Sequence, residues 1–473
     1  MTITHKTDRF SRFTNLLKQS LKGENIDFTT ISIRRAVLLL AIPMMLEMMM
    51  ESVFALVDLY FVGHLKNSSF AVQTVGLTES VLSIIYSVAI GMSMAATAVV
   101  ARRVGEKDPD AASRAGMQAI VIALIINIPI AILGIIFAKD ILLLMGSSEA
   151  SAEYGQTFMK IQMGSSFVIM MLFLFNGVFR GAGNAAIAMR SLWIANIFNI
   201  ILCPLLILGW GPIPAFGLTG AAIATALGRS TGVIYQLYNL FKGKGILKVA
   251  ASYFVPDFDQ IKAIIKVAAP GIMQFVIASC SWIFLAELVA TTGGDEGSAG
   301  YQSAIRIMMF FMLPAWGLSG AAATLVGQHL GAKMTERAER SVFVTAKFNV
   351  IYMGSIMVIC LLAADPMMWF FTNNADVHDI AVEAIRILSA GYIFYGIGMV
   401  LLNAFNGAGD TRTPTWVNFF GFWTFQIPLA YLLAKYYNFG PTGVFIAIPA
   451  AETLMTIAAV ILFRRGRWKK TTV

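Results

Sequence analysis

The sequence predicts an all-α integral membrane protein with twelve transmembrane helices in two pseudo-symmetric six-helix lobes, related as a parallel repeat. Three observations support this fold class. Apolar residues make up 58% of the 473 and charged residues only 13%, about half the charged share of a soluble domain. Apolar stretches long enough to cross a bilayer recur along the whole chain. The two halves of the chain also repeat each other.

The apolar stretches predict the number and the positions of the transmembrane helices. A helix needs about 20 apolar residues to cross about 30 Å of hydrocarbon. Only helices and closed barrels satisfy the backbone in lipid, and runs this continuously apolar are typical of helices. We place twelve spans at residues 36–62, 71–100, 115–138, 161–179, 188–209, 217–240, 261–291, 299–327, 342–364, 384–405, 415–434 and 441–463.

The repeat is the strongest clue to organisation. The segment Ala89–Ser113 returns 226 residues later as Ala315–Glu339, with Gly91 falling on Gly317. At the same offset, FRGAGN at 179–184 returns as FNGAGD. A near-constant offset across separate blocks indicates duplication of a whole half. Two related halves of a membrane protein usually enclose a central path near the bilayer midplane.

The distribution of Lys and Arg predicts the orientation. Of the 35 such residues, 28 lie in the two tails and in or beside the loops after spans 2, 4, 6, 8 and 10, and four lie in the other loops. Cytoplasmic loops carry the excess of Lys and Arg, so both termini are expected in the cytoplasm. This placement accounts for the net charge of +9 without a nucleic-acid partner.

Five regions follow from the spans and the orientation. We expect a cytoplasmic amino-terminal tail, an N-lobe, a cytoplasmic linker, a C-lobe and a basic cytoplasmic tail, at residues 1–35, 36–242, 243–260, 261–463 and 464–473. The first 30 residues lack the apolar core of a signal peptide. Within them, FSRFTNLLKQSL is compatible with an amphipathic helix on the membrane surface or with a disordered leader.

Span 1 carries three acids inside the membrane. Spacings of four and eleven residues put Glu47, Glu51 and Asp58 within about 40° of one another on the helix. A carboxylate facing lipid costs at least a few kcal/mol, so this face is expected to point into the bundle or into a wet cavity. For each acid the alternative is a structural pair with a buried Arg. The second copy has Gln274 for Glu47 and Leu285 for Asp58, which favours ion coupling in the N-lobe.

Other polar residues in the spans complete the candidate sites. Asn196 and Asn199 in span 5 offer amide oxygens, which suit either a hard cation or hydrogen bonds between helices, and Thr225 in span 6 is a weaker candidate. The cavity candidates are Glu47, Gln274, Gln302 and Asn403. Three charged residues of the C-lobe spans, Glu287, Arg306 and Glu452, have no assigned role, although Glu452 occupies the repeat position of Arg229.

The motifs of common membrane-enzyme chemistry are missing from the sequence. It contains no HExxH metal motif, no GxxxxGK[ST] phosphate loop and no GxSxG nucleophile elbow. We therefore expect neither an enzyme, nor a metal site, nor a cofactor. A chain without a nucleotide-binding domain must use an ion gradient or diffusion.

Several motifs together resemble the multidrug and toxic compound extrusion (MATE) family. They are Pro43, VD-x-x-x-VGHL at 57–65, the N-x-x-N pair before LCPLLI, the GLTGAAIAT block, and YQSAIRI followed by LPAWGLSGAAATLVGQHLGA. The resemblance covers nearly the whole chain after residue 30. It implies two six-helix lobes forming a V, which exchange Na⁺ or H⁺ for organic, often cationic, compounds.

Carried over by position, the resemblance also implies roles for single residues. Asp58 matches the family's acid that binds the coupling ion, Pro43 a proline that lets the helix bend, and Asn199 an Asn lining the same site. Cys203 stands where the family often has Asp, so one oxygen ligand for Na⁺ is missing. The early Glu of the NorM-type branch is absent from AAPGIMQFVIASC. The chain is therefore closer to the DinF-type branch, and H⁺ is favoured over Na⁺ as coupling ion.

The sequence thus favours a secondary antiporter in the cell (inner or plasma) membrane, acting as a monomer on small organic substrates. The alternative is a flippase for a lipid-linked glycan or another lipid precursor. Distant relatives of the family that share the same two lobes have this function. A lipid carrying pyrophosphate would need a basic cavity, and the charges within the spans are mostly acidic. This balance favours a cationic or neutral substrate.

Overall fold

The computed structural model describes the backbone of residues 3–63, 68–212, 214–242, 245–369 and 374–473, and all side chains except those of 1–10, 12–13, 55–69, 72, 213, 243–244 and 370–373. The described backbone is almost wholly helical. The α-helices are α1 Ile3–Lys22, α2 Ile33–Gly63, α3 Ser68–Gly105, α4 Pro109–Ile136, α5 Ala138–Leu144, α6 Glu149–Gly164, α7 Ser166–Gly181, α8 Ala185–Leu208, α9 Leu218–Phe241, α10 Phe258–Gly331, α11 Thr335–Trp369, α12 Ala375–Ala390, α13 Tyr392–Gly407, α14 Arg412–Asn418, α15 Ile427–Tyr431 and α16 Pro441–Arg464. Short 3₁₀ helices cover Ala251–Phe254 and Arg467–Lys470, and π-helical segments cover Phe419–Gln426 and Leu432–Tyr436.

Length and apolar content make the chain a multi-pass, all-helical membrane protein. Within the described residues nine helices are long and apolar enough to cross a membrane, or ten when the bent pair α12 and α13 counts as one span. At 74 residues, α10 is more than three times as long as a bilayer crossing requires. It is interrupted at Gly294, where φ is 62° and ψ is −156°. This break lies between the predicted spans 7 and 8.

Three predicted spans are less regular than expected. Span 4 is divided at Ser165 between α6 and α7, and span 10 bends by 53° between α12 and α13. Span 11 alternates between α and π geometry from Arg412 to Tyr436. Single π turns inside a helix are often found at functional sites. Apolar content predicts that a segment crosses the bilayer, but it carries no information about such breaks.

Two large apolar cores are separate in sequence. One joins α3, α4 and α7 with the first turns of α10. The other joins the later part of α10 with α11, α12, α13 and α16. Each core is therefore built mainly from one copy of the repeat.

Unusual backbone geometry recurs at repeat-related positions. Positive φ is rare for side-chain-bearing residues because Cβ approaches the carbonyl oxygen. The pairs are Lys107 (61°) with Lys333 (59°), Gly183 (85°) with Gly409 (84°), and Gly217 (54°) with Gly440 (57°). The duplication therefore extends from the amino-acid sequence to the turns of the backbone.

The carboxyl ends of α3 and α10 cross at very short range. A Cβ atom on Gly105 would lie 2.0 Å from the carbonyl oxygen of Gln328, and one on Gly331 would lie 2.1 Å from that of Arg102. Neither position has room for any side chain. Because Gly105 and Gly331 are repeat mates, the α3–α10 crossing is a reciprocal contact between the two halves.

Segments outside the repeats cover this crossing. Arg337 of the second half donates to the carbonyls of Phe28 and Ile31, which precede the first half. Partial burial acts to raise the pKa of Asp27 in that segment, but hydrogen bonds from Thr29 and the charges of Lys107 and Arg337 outweigh it and lower the pKa. Asp27 thus remains ionised near cations of both halves.

The linker that precedes α10 packs against the first half. Gln118 donates to the carbonyls of Tyr253 and Val255, each at 2.7 Å. The final residues of the chain also reach the first half, where Arg102 donates to the Thr471 carbonyl and Arg103 to the Val473 carbonyl. The two copies are therefore joined crosswise at this end of the molecule.

Candidate functional site

A cavity of about 430 Å³ lies between the two halves, within the size range of small-molecule sites. Met and aromatic side chains form the largest group in its wall: Met44, Met48, Met94, Phe173, Phe275, Trp282, Met309, Met312, Trp316, Tyr395, Met399, Phe422 and Met455. Its polar members are Ser93, Thr97, Arg180, Gln274, Ser279, Asn403, Asn406, Asn418 and Glu452. Flexible, polarisable Met side chains allow such a wall to adapt to different apolar shapes.

Glu47 of α2 is fully buried beside this cavity. Its Oε1 atom accepts hydrogen bonds from the Arg180 guanidinium and, at 3.0 Å, from Asn176 Nδ2. Its Oε2 atom has no donor among the described residues. Glu47 itself is not among the lining residues of this cavity, because its carboxylate is turned to Arg180, which does line it.

A chain of amides extends the Glu47 pair through the first half. Asn176 Oδ1 accepts from Gln236 Nε2 at 2.6 Å and from Ser191 Oγ at 3.2 Å. These contacts tie α2, α7, α8 and α9 together. Buried polar groups require such partners, since leaving one unsatisfied costs about 1–3 kcal/mol.

Glu51, one turn further along α2, has a separate set of partners. Asn196 Nδ2 donates to its Oε2 at 3.2 Å, and its Oε1 lies 3.8 Å from the Arg229 guanidinium. The Arg229 guanidinium also lies over the rings of Phe54 and Tyr86, at 5.7 and 5.5 Å from their centroids. Both described acids of α2 therefore face the interior of the first half.

The remaining candidates of the first half lie close by. Asn199 Nδ2 donates to Thr225 Oγ1 at 3.1 Å, while Asn199 Oδ1 has no donor among the described residues. Cys203, one turn along α8, is fully buried. Pro43 is buried within α2. The side chain of Asp58 lies outside the described residues.

The second half has an uncharged counterpart of the Glu47 pair. Gln274 Nε2 donates to Asn406 Oδ1 at 3.0 Å, and Asn406 Nδ2 donates back to Gln274 Oε1 at 3.4 Å. Gln274 takes the repeat position of Glu47, and Asn406 takes that of Arg180. Both line the cavity, as does Asn403, which donates to Ser319 Oγ at 2.8 Å.

Gln302, another of the expected cavity residues, is not among the lining residues of this cavity. Tyr301 is turned inward, where it stacks on Phe445 with ring centroids 6.0 Å apart. The next residue along a helix is rotated by about 100°, which leaves Gln302 exposed. Glu287 and Arg306 are exposed as well.

Sequence reasoning missed Arg180 and Asn176. The predicted span 4 ends at residue 179, but α7 continues to Gly181 and carries the Arg180 guanidinium back to Glu47. The signal was present in the repeat, because both members of the pair change together, Glu47 to Gln274 and Arg180 to Asn406. Two linked changes at distant positions indicate a contact.

Comparisons with known proteins agree with this architecture. The sequence profile of the MatE family matches residues 43–205 and 270–432, one segment in each half. A probable multidrug resistance protein NorM of Thermotoga maritima is 26% identical over 98% of both chains. An FAD transporter of Shewanella oneidensis is 24% identical over 92% of this chain and 95% of its own. A solved outward-facing multidrug resistance MATE transporter superposes with a TM-score of 0.88 at 25% identity, over 95% of this chain and 99% of its own.

Proposed function

Because this chain belongs to the MatE family, we propose that it is a secondary antiporter that exports organic cationic or amphipathic compounds in exchange for H⁺ or Na⁺. Family membership makes the chain a multi-pass multidrug efflux transporter of small organic compounds, not an enzyme. The coupling ion and the charge of the substrate belong to the proposal.

The architecture proposed for this function is a V of two six-helix lobes, at 36–242 and 261–463, with twelve spans in total. Their cytoplasmic segments are the tails at 1–35 and 464–473 and the linker at 243–260. Support comes from the break of α10 at Gly294 and from the repeat-related turns. The basic residues of the tails favour cytoplasmic termini in the cell (inner or plasma) membrane. Two lobes within one chain favour a functional monomer.

One observation carries the proposal: the cavity takes its lining from both halves, which are in tight backbone contact at the α3–α10 crossing. In the proposed orientation the crossing lies at the cytoplasmic end. Alternating access requires such a shared site and a contact that opens on one side at a time. Opening toward the cytoplasm would separate Gly105 from Gln328 and Gly331 from Arg102.

The proposed coupling site lies on the acid face of α2. Asp58 is the proposed ion-binding acid, and Asn199, Asn196, Glu51 and Thr225 are the other residues assigned to the site. The support is that Glu51, Asn196, Asn199 and Thr225 are joined in hydrogen-bonded pairs inside the first half. Na⁺ prefers several oxygen ligands, as other hard cations do, and Cys203 supplies a sulfur, so we favour H⁺.

Pro43 is the proposed hinge of α2. A proline inside a helix has no N–H to donate to the carbonyl four residues earlier and clashes with it, here that of Leu39. The bend would move the acid face that begins at Glu47. The missing early Glu of span 7 is the observation that favours the DinF-type branch over the NorM-type branch.

A flippase for pyrophosphate-linked lipids is less well supported. Such a head group needs cations, and the described charged residues in the cavity lining are Arg180 and Glu452. Arg180 is already neutralised by Glu47. The cavity therefore offers no excess positive charge.

The test is transport in proteoliposomes with the ion gradients separated. Purified protein should drive uptake of a fluorescent organic cation when a pH gradient is imposed without Na⁺. Asp58→Asn should abolish this uphill transport while leaving the protein folded. Undiminished gradient-driven transport by Asp58→Asn would disprove the coupling site, and transport driven by Na⁺ alone would disprove the preference for H⁺.

Glu287→Gln is the matched control, because Glu287 is an exposed acid of α10 outside the cavity lining. It removes one carboxylate by the same substitution chemistry and should transport like the unmodified protein. Equal losses in both variants would point to a general effect of charge removal.

A further inference from the structure

Glu452 is the acid that the cavity lining contains and that the proposed coupling site does not use. It lies 11 residues after Pro441 and 12 before Arg464 in α16, about 17 Å from either end of that helix. Its side chain reaches the cavity near mid-membrane depth. Among the described residues its carboxyl group forms no hydrogen bond or ion pair, although Tyr395 lies near enough to interact with it electrostatically.

The repeat explains why this acid has no partner. Glu452 takes the position of Arg229, and Ala278 takes the position of Glu51. In the first half, Glu51 and Arg229 lie 3.8 Å apart and compensate each other. In the second half the charge is inverted at one position, and a methyl group replaces the partner at the other. Ala278 and Glu452 both line the cavity, so the missing partner leaves space that opens into it.

The charge balance of the cavity adds a second argument. Arg180, the other charged residue of the described lining, is bound to Glu47. Glu452 is therefore the ionisable residue of the described lining that has no oppositely charged partner. A charge inside a membrane is expensive unless a partner or function retains it, and a bound cation supplies such a partner.

The aromatic wall defines the kind of cation. Trp282, Trp316 and Phe275 line the same cavity, with the Phe275 and Trp316 rings 5.7 Å apart. Aromatic faces attract cations and also pack against apolar bodies. A small hydrated ion would use little of this surface, whereas an organic cation with aromatic or alkyl groups would use all of it.

We propose that Glu452, facing Ala278, anchors the positive charge of monovalent organic cations in the half of the cavity formed by the second repeat. This assignment depends on the proposed function in one respect: it takes the cavity as the substrate site. It separates cargo recognition in the second half from ion coupling in the first half.

Binding of two probes of the same shape and opposite charge tests the assignment. Tetraphenylphosphonium and tetraphenylborate are titrated into purified protein in nanodiscs without any ion gradient, and binding to empty nanodiscs is subtracted. The unmodified protein should prefer the phosphonium. Glu452→Gln should lose at least about tenfold of that preference, Glu452→Asp should retain it, and Glu452→Arg should invert it.

Glu287→Gln serves again as control and should leave both affinities unchanged. An unaltered probe preference in Glu452→Gln would overturn the assignment, and so would equal losses for both probes, which indicate a change of shape rather than of charge. Because no gradient is present, a failure of ion-coupled transport leaves this result intact. Loss of binding in Glu452→Gln with wild-type binding in Asp58→Asn would separate the two sites.

Discussion

The Glu47–Arg180 pair and the Gln274–Asn406 pair occupy equivalent places in the two halves of the molecule. The first pair joins α2 to the end of α7, and the second joins α10 to the end of α13. In each half these are the first span and the end of the fourth span, and both pairs lie beside the same cavity. The first is an ion pair with a fully buried carboxylate, and the second is a reciprocal amide pair. A single scaffold therefore accommodates either chemistry at this position.

The difference shows that the geometry does not depend on charge. An amide pair satisfies its donors and acceptors without the desolvation penalty of two ions. If stability were the only requirement, the first half would gain from the same pair. The retained charges of the first half therefore indicate a function that amides do not supply, which we place in coupling.

Removing the fourth-span member of each pair, Arg180 or Asn406, is the strongest test of this contrast. Arg180→Met leaves the Glu47 carboxylate buried without its ion partner, and we expect a loss of about 3–5 kcal/mol in the free energy of unfolding. Asn406→Met leaves Gln274 with the Thr411 carbonyl, at 3.2 Å, and should lose only about 1–3 kcal/mol. Denaturant unfolding in detergent, followed by tryptophan fluorescence, measures both.

The double variant Glu47→Gln with Arg180→Asn is the control, since it transplants the amide pair into the first half. It should recover most of the stability lost in Arg180→Met while transport stays impaired. Equal destabilisation by Arg180→Met and Asn406→Met would refute the contrast between the two pairs. Full transport by the double variant would remove the argument that the charges serve coupling.

The two pairs differ between the halves, whereas the α3–α10 crossing is predicted to be equivalent in both halves. Gly105→Ala and Gly331→Ala each insert a Cβ at about 2 Å from a backbone oxygen of the other half. We expect each to disfavour the crossing by about 1–3 kcal/mol, enough to raise the open population about tenfold. The two variants should act alike.

Labelling of a cavity residue measures this opening. Met399→Cys, in a background without Cys203, Cys280 and Cys360, is exposed to a membrane-impermeant thiol reagent from the side of the crossing. Both glycine variants should accelerate labelling. Gly76→Ala in α3, where a Cβ meets no atom within 4 Å, should not. An effect in only one of Gly105→Ala and Gly331→Ala would show that the crossing is not reciprocal.

The multi-pass, all-helical character and the repeat could be predicted from the sequence because each depends on the types of single residues. A bilayer requires continuous apolar stretches, and a duplication preserves small residues where helices touch. The turn at Gly294 falls in the interval left between two predicted spans. Breaks such as the one at Ser165 were missed, because they depend on how neighbouring helices pack.

The site was harder to predict because it depends on the rotation of each helix about its axis. Gln302 was expected in the cavity on polarity alone, and the stacking of Tyr301 on Phe445 turns it away. Glu47 was expected to face the bundle or a wet cavity from its place on the acid face of span 1, and the extension of α7 brings Arg180 against it. In the sequence, the Glu47–Arg180 pairing could be predicted only from the two linked differences between the copies, Glu47 to Gln274 and Arg180 to Asn406.

The smallest expected effect concerns the turns that follow α3 and α10. Lys107 and Lys333 adopt φ of 61° and 59°, where a Cβ atom adds about 1–2 kcal/mol of strain. Glycine relieves that strain but adds about 0.5–1 kcal/mol of unfolded-state entropy. Lys333→Gly should therefore raise the free energy of unfolding by up to about 1 kcal/mol. Lys107→Gly should gain less, because Lys107 also attracts Asp27. Denaturant unfolding of the two variants, measured in parallel, tests this order. A larger gain in the free energy of unfolding for Lys107→Gly would mean that the attraction between Lys107 and Asp27 does not stabilise the first half.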